Sequence, residues 1–388
     1  MSERLEHHQS SRIDSMTVGA PYRAGVLRGV RVLEMGGIGP NPWAGMVLAD
    51  MGADVIRLDR ATGRSIREPN SGDPVLRGRQ TIGVDLRSAH GLALARQLAG
   101  RADVLSEGFR PGVMERLGLG PDVLLEQNPR LVYGRVTGYG QHGPMATAAG
   151  HDINYVAVTG VLGASQRVGE NPMTAINYLG DYGGGAMLLL FGIVCALLEA
   201  RSSGRGQVVD AAMVDGVALM STNIHGMHSA GTWSEQPGTN LLDTGAHFYD
   251  TYRTGDDRFV AVGALEPQFY SRLLDLLGIP EAEMPQWDRR RWPEFKRRLA
   301  ALFATRSSAD WRDLLEGEET CVTVVNLPFE APHPHLVARG TFIELDGVRQ
   351  PAPAPRFDRT PGLAAPAEQD PVAALARWDV DAAEFGVG

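Results

Sequence analysis

The sequence predicts an α/β protein organised around a parallel, doubly wound sheet. Strand-like and helix-like segments alternate along residues 30–140 at the spacing of βαβ units, the pattern of a parallel sheet covered by helices. The length of 388 residues allows two or three domains with a sizeable core. A hydrophobic content of 43% and a charged content of 21% are ordinary for globular proteins, so the chain as a whole is not expected to be disordered.

The individual elements follow from this alternation. Residues 30–35, which read VRVLEM, form the first predicted strand, and the first helix is predicted over 41–53. Further strands are predicted at 54–59, 81–86, 103–109 and 131–140, and further helices at 89–102 and 121–129. A buried helix is predicted from residue 186, because residues 186–198 are almost entirely apolar, and the segment 204–226 predicts one more strand and helix.

The second half of the chain has a different character. A hairpin-like pair of strands is predicted within residues 245–265, around the turn Gly255-Asp256-Asp257. Amphipathic helices are predicted at 267–277 and 293–305. Residues 350–362 are rich in proline and predict a connecting segment with little regular structure.

Charge and composition argue against several functional classes. The net charge of −9 disfavours a general nucleic-acid-binding protein, which normally carries a basic domain. The N-terminus lacks the apolar core of a signal peptide, and the apolar run 186–198 is too short for a membrane span, so we expect a cytoplasmic protein without a membrane segment. Cys195 and Cys321 form neither a disulfide framework nor a metal-ligand spacing and are predicted to be buried thiols. The histidines have no convincing metal geometry, so no metal is expected.

The glycine-rich segment after the first strand, GGIGPNPWAG, looks at first like a dinucleotide-binding loop. Pro42 occupies the third glycine position of that fingerprint, so the GxGxxG pattern is not met. No nicotinamide cofactor is therefore expected.

Two glycine-rich segments, AGHDINY and LGDYGGG, each place an ionisable residue before an apolar run. His151 and Asp181 could be helix N-cap or first-turn residues, which is the simple structural interpretation. The alternative is that two proton-handling groups converge on one substrate carbon.

Seven motifs carry a resemblance to a known family: VLEMGGIGPNPWAGMVLADMGADVIRLDR, SEGFRPGVMERLGLGP, GYGQHGP, GHDINY, GDYGGG, GQVVDAAMVDG and VGALEPQFY. In this order and spacing, from about residue 28 to about residue 360, the chain resembles the α-methylacyl-CoA racemases of the family III CoA-transferase superfamily. The resemblance implies a Rossmann-like large domain with a parallel sheet, a smaller α+β domain and two chains interlocked as a ring-like dimer.

The resemblance and the predicted elements together imply five segments. They are a flexible N-terminal tail (1–26), a large Rossmann-like CoA-binding domain (27–215), a linker helix (216–240), a small domain (241–335) and a C-terminal segment that returns to the large domain (336–388).

The implied activity is interconversion of (R)- and (S)-2-methylacyl-CoA thioesters, a reaction of fatty acid metabolism, by α-proton removal and return through an enolate. His151 would take the proton from the S substrate and Asp181 from the R substrate. Glu266 would hydrogen-bond the histidine, or else be only a first-turn acid before Pro267. The backbone N–H of Asp152 would bind the enolate oxygen, while its side chain could be only a helix cap.

CoA is part of the substrate, and the resemblance implies no other cofactor. The implied CoA contacts are Arg60, Val84, Asp85, Leu86, Arg87, Gly108, Phe109, Arg110, Arg116, Gly150, Ile153, Asn154 and Tyr155. Guanidinium groups suit the phosphates of CoA, although an arginine chosen from sequence alone is more often a solvated surface residue.

Two other functions remain open at this stage. A CoA-transferase would move CoA between carboxylic acids through an acyl anhydride on Asp181, and a non-catalytic protein would only bind acyl-CoA. The histidine at position 151 favours the racemase, as does the presence of only Gly238 and Gly245 in the segment 237–250, where the transferases tend to carry a glycine run.

Overall fold

The computed structural model describes residues 25–60 and 73–387, so the predicted tail 1–26 lies almost wholly outside the described residues. Six parallel strands form one sheet in the order β3-β2-β1-β4-β5-β6, the order of doubly wound nucleotide-binding folds. Their bounds are β1 Arg31–Met35, β2 Asp54–Asp59, β3 Gln80–Gly83, β4 Val104–Glu107, β5 Val132–Thr137 and β6 Val208–Ala212. The predicted fold class is confirmed.

Helices connect the strands of this sheet and follow its last strand. They are α1 Pro40–Asp50, α2 Ala89–Ala99, α3 Val113–Arg116, α4 Pro121–Gln127, α5 Asp152–Val158, α6 Val161–Ala164, α7 Leu188–Ser203, α8 Met213–Met220 and α9 Thr222–Ser229. The strand predicted at 81–86 ends at Gly83, because the Asp85 carboxylate accepts the Arg87 N–H at 3.0 Å and Ser88 N–H binds the Asp85 carbonyl, which form a turn. The prediction of one linker helix over 216–240 is wrong. The helix is interrupted at Ser221, and the chain is no longer helical after Ser229.

A π-helix precedes α7 and carries the motif GDYGGG. It spans Tyr178–Met187, so the helix predicted from residue 186 begins at Tyr178. Glycines allow its close contact with α8: a Cβ at Gly184 would lie 2.9 Å from the Met213 carbonyl oxygen, and one at Gly216 only 2.1 Å from the Gly184 carbonyl oxygen. The position of the π-helix against the sheet therefore depends on glycine in both elements.

The prediction of a buried helix is only half right. One side of α7 packs on β5 and β6, whereas Phe191 is 70% exposed and Leu198 is 67% exposed. Both cysteines are exposed, contrary to prediction: Cys195 lies on this outer side, and Cys321 precedes a short edge strand. The continuous helix Tyr178–Ser203 has 26 residues and is long and apolar enough to cross a membrane, so the expectation that this apolar segment is too short for a membrane span is wrong.

The second unit has its own core around an antiparallel sheet, β7 Tyr249–Arg253, β8 Phe259–Gly263 and β9 Val322–Val324. The predicted hairpin is confirmed, with Asp257 in the left-handed region at its turn. Helices α10 Pro267–Leu277, α11 Trp292–Phe303 and α12 Ser308–Leu315 pack on this sheet. The first two correspond to the predicted amphipathic helices.

The C-terminal part of the chain reaches the parallel sheet again. After α13 Pro334–Ala338 comes a hairpin of β10 Phe342–Leu345 and β11 Val348–Pro351, which extends into the predicted irregular segment. The last helix, α14 Pro371–Arg377, is followed by the fully buried Trp378, whose Nε1 donates to Asp54 at 2.9 Å.

Candidate active site

A cleft of about 440 Å³ lies beyond the carboxyl ends of β1, β4 and β5. In this strand order the connections leave β1 and β4 in opposite directions, and the gap between them is where ligands bind in doubly wound sheets. The lining residues are Ile38, Gly39, Pro40, Gly108, Phe109, Arg110, Pro111, Val136, Thr137, Gly138, Tyr139, Ala146, Ala148, Gly150, His151, Tyr155, Asn177, Asp181, Tyr182 and Met213.

His151 is the N-cap residue of α5 and lines this cleft. Its backbone is extended, and its N–H donates to Oδ1 of Asn154 at 3.0 Å. The preceding peptide is fixed by Tyr155, whose hydroxyl donates to the Gly150 carbonyl and whose ring packs edge-on against Tyr139 at 5.0 Å. A Cβ at Gly150 would lie 2.7 Å from the Tyr155 ring, so this contact requires glycine.

Asp181 lies in the first turn of the π-helix and lines the same cleft. Burial raises the pKa of its carboxyl above the ordinary value, and the negative charge of Asp152 adds to the rise. A hydrogen bond from Nδ2 of Asn177, 3.0 Å from Oδ2, and the charge of His151 act in the opposite direction. The cleft thus pairs a histidine with an aspartate that holds its proton more readily than usual.

The side chain of Asp152 caps the π-helix and not its own helix α5. Its Oδ2 accepts the N–H groups of Gly180 at 2.5 Å and Asp181 at 2.8 Å, and the residue is 6% exposed. The backbone N–H of Asp152 is at the start of α5, where helix amides lack an intrahelical acceptor. Its contact with an enolate oxygen stays a prediction.

The predicted CoA contacts after β4 lie in the cleft. Gly108, Phe109 and Arg110 all line it. This loop is fixed to the buried end of β4. The Phe109 N–H donates to Oε2 of Glu107 at 2.7 Å, and the buried Glu107 is paired with Arg135, also at 2.7 Å.

The other predicted CoA contacts lie outside the cleft lining, namely Arg60, Val84, Asp85, Leu86, Arg87, Arg116, Ile153 and Asn154. Arg60 follows β2 and Val84–Arg87 follow β3, so they lie at the same edge of the parallel sheet as the cleft. The Arg87 side chain is 86% exposed. Their contact with CoA stays a prediction.

Glu266 is in the second unit, where it is the exposed N-cap residue of α10 and does not line the cleft. Burial raises the pKa of the Cys321 thiol, and the negative charge of nearby Glu266 adds to the rise. Within the described part of this single chain, no hydrogen bond joins Glu266 to His151. The predicted contact is therefore not made inside one chain.

Several cleft residues were not predicted. Asn177 binds Asp181, Tyr182 packs against Trp43 with ring centroids 5.5 Å apart, and a Cβ at Gly39 would lie 3.4 Å from Oδ2 of Asp181. Asn177 is four residues before Asp181, a spacing that would have signalled the contact only if a helix had been predicted there.

Comparisons with known proteins agree on one family. Residues 27–372 match the model of the family described as CoA-transferase family III. The chain is 46% identical over 353 residues to α-methylacyl-CoA racemase of Mus musculus, which covers 89% of this chain and 90% of that protein. It is 43% identical over 341 residues to α-methylacyl-CoA racemase of Homo sapiens, over 87% of this chain and 88% of that protein. The crystal structure of Rv3272 from M. tuberculosis matches with a TM-score of 0.74 at 27% identity, over 89% of this chain and 97% of that chain.

Proposed function

The chain belongs to CoA-transferase family III, and from this premise we propose that it is an isomerase that interconverts (R)- and (S)-2-methylacyl-CoA thioesters. The observation that carries the proposal is that His151 and Asp181 line one cleft from two different elements. Inversion requires one group to remove the α-proton and a second to return a proton to the opposite face. A CoA-transferase mechanism through Asp181 alone would not require a histidine in the cleft.

The two groups exchange roles with the hand of the substrate. His151 removes the proton from the S substrate while Asp181 donates one, and the reverse holds for the R substrate. The raised pKa of Asp181 suits this double role, because a carboxyl that is always ionised could not donate. The enolate oxygen is stabilised by the backbone N–H of Asp152, and one such donor contributes about 3–4 kcal/mol to lowering a barrier.

The CoA part of the substrate lies along the carboxyl edge of the sheet. Arg110 lines the cleft, and Arg60 and Arg87 follow the next strands outward. With Arg116 of α3 they supply guanidinium groups for the phosphates of CoA. The reaction uses no cofactor beyond this CoA.

The active form is an interlocked homodimer in the cytoplasm. The exposed apolar side of α7 is consistent with contact to a partner chain at this surface. Burial against a partner chain would also account for this apolar helix without a membrane. Glu266 acts in the dimer, where it hydrogen-bonds His151 and fixes the tautomer of the imidazole.

The test is inversion in deuterium oxide. A single enantiomer of a 2-methylacyl-CoA should give the opposite hand with deuterium at the α carbon, because the returned proton comes from solvent. His151→Ala and Asp181→Ala should each lower inversion in both directions by about 100-fold or more, since a general acid or base typically contributes about 10²–10⁴-fold. His142→Ala is the matched control; His142 is exposed, outside the cleft lining, and its loss should leave the rate unchanged.

Two outcomes would reject the racemase. Transfer of CoA to a free acid without α-deuterium, with Asp181 essential and His151 dispensable, would identify a CoA-transferase. Binding of the thioester without any α-exchange would identify a protein that only binds acyl-CoA.

A further inference from the structure

We propose that the carboxylate of Asp152 is a positioning group that fixes the separation of the two bases, His151 and Asp181. The inference rests on the proposed racemase function. It concerns the side chain, whereas the proposed contact with the enolate concerns the backbone N–H of the same residue.

Asp152 is joined to both bases. It follows His151 directly in the chain, so the two residues move together at the start of α5. Its Oδ2 accepts the N–H of Asp181 itself at 2.8 Å and that of Gly180 at 2.5 Å. These two N–H groups are in the first turn of a helix, where they have no intrahelical acceptor, and the buried carboxylate satisfies them.

The contact is also close in steric terms. A Cβ at Gly180 would lie 2.7 Å from Oδ2 of Asp152 and 3.1 Å from its Cα. The first turn of the π-helix therefore touches both the side chain and the backbone of Asp152. Any larger residue at position 180 would push the two elements apart.

Such a link matters for inversion more than for exchange. Inversion needs both bases within reach of one carbon, while exchange with retention needs only the base on one face. A displacement of about 1 Å can cost about 100-fold in rate. Loss of the link should therefore lower inversion while the base that remains in contact still exchanges the proton on its own side.

Asp152 also acts on Asp181 through its charge. The groups around Asp181 that titrate or carry charge are His151, Asp152 and Tyr155 of α5, Arg110 after β4, and the cleft tyrosines Tyr139 and Tyr182. Among these, the negative charge of Asp152 raises the pKa of Asp181. Asparagine at position 152 would keep an acceptor and remove the charge, whereas alanine would remove both.

The experiment measures two rates for one enantiomer in deuterium oxide, inversion and deuterium incorporation with retention. Asp152→Ala should lower inversion about 100-fold and exchange by less than about 10-fold, so their ratio falls at least tenfold. Asp152→Asn should recover inversion to within about tenfold of the wild type. With the R substrate it should also move the acidic limb of the pH profile to lower pH, because loss of the charge lowers the pKa of Asp181.

Asp370→Asn is the matched control, since Asp370 caps α14 through the Ala373 N–H at 2.9 Å, far along the chain from the cleft. It should leave the ratio unchanged. Equal losses of inversion and exchange in Asp152→Ala, or a ratio equal to that of the control, would overturn the proposal.

Gly180→Ala provides an independent route if Asp152→Ala does not fold. It keeps every titrating group and displaces the Asp152 carboxylate, so the ratio should fall by a similar factor. An unchanged ratio in this variant would overturn the positioning role. Absence of inversion in the wild type would instead reject the proposed function, so the two failures are distinct.

Discussion

At the scale of single residues, opposing effects act on the pKa of the Asp181 carboxyl. Burial raises its pKa, and the hydrogen bond from Asn177 lowers it. The balance matters for the proposed racemisation, in which this group would donate a proton in one direction and accept one in the other. Asn177 therefore helps to set the pH range in which Asp181 is ionised.

Replacement of Asn177 by alanine should shift the pH profile. Without this hydrogen bond the pKa of Asp181 rises further, and the rate with the R substrate needs ionised Asp181. The acidic limb should move to higher pH, and the rate on that limb should fall roughly tenfold, as expected for losing a hydrogen bond to a charged group of about 1.5 kcal/mol. The measurement is the inversion rate of the R substrate from pH 5 to 8.

Asn223→Ala serves as the matched control, because Asn223 is exposed on α9. A limb that stays in place in Asn177→Ala, or moves to lower pH, would contradict the assigned role.

The sequence predicted His151 and Asp181 because glycine-flanked motifs mark them, and both line the cleft. It did not predict Asn177, Gly39 or Tyr182. Asn177 and Tyr182 are close to Asp181 along the chain, but the helical turn that brings Asn177 against Asp181 was not predicted there. Gly39 reaches Asp181 from the loop after β1, which is a tertiary contact. Glu266 does not line the cleft, because it is the N-cap residue of α10 in the second unit.

At the scale of elements, the position of Asp181 depends on how the π-helix packs against α8. A Cβ at Gly184 would lie 2.9 Å from both the Met213 carbonyl oxygen and the Val217 nitrogen. Backbone atoms cannot move aside as a flexible side chain can, so this contact tolerates no added methyl group.

Gly184→Ala should therefore destabilise the protein by about 1–3 kcal/mol, the usual cost of overpacking. It should also lower the inversion rate, because the π-helix carries Asp181. Gly163→Ala is the matched control: a Cβ there meets nothing within 4 Å, and the change should be neutral or stabilise by up to about 1 kcal/mol. Urea unfolding measures both variants, and equal stabilities would contradict the packing argument.

The parallel strands were predictable because short segments rich in Val, Leu and Ile alternate with helical segments at the spacing of βαβ units. β2 has the bounds predicted for it. The π-helix was not predictable, since Gly180, Gly183, Gly184 and Gly185 have low helix propensity. Only the packing against α8, which glycine permits, forms a helix there.

At the scale of the whole molecule, the alternation of strands and helices was enough to predict the doubly wound sheet. It was not enough to predict the outer side of α7. An apolar helix fits a domain core and a subunit interface equally well, and composition does not distinguish them. Met187, Phe191, Val194 and Leu198 are spaced by four, three and four residues and are all about half exposed or more, which places them on one helical face.

This face supplies the last prediction. If it is buried between two chains, the wild type should stay dimeric on dilution into the nanomolar range, because interlocked chains separate only by partial unfolding. Phe191→Asp would bury an unpaired charge at the interface, which costs about 3–5 kcal/mol and weakens association by about 100-fold or more. Sedimentation velocity over a dilution series should show monomer in this variant. Val123→Asp, at a 43% exposed position on α4, should remain a dimer. A wild type that dissociates reversibly at micromolar concentration would contradict the interlocked assembly.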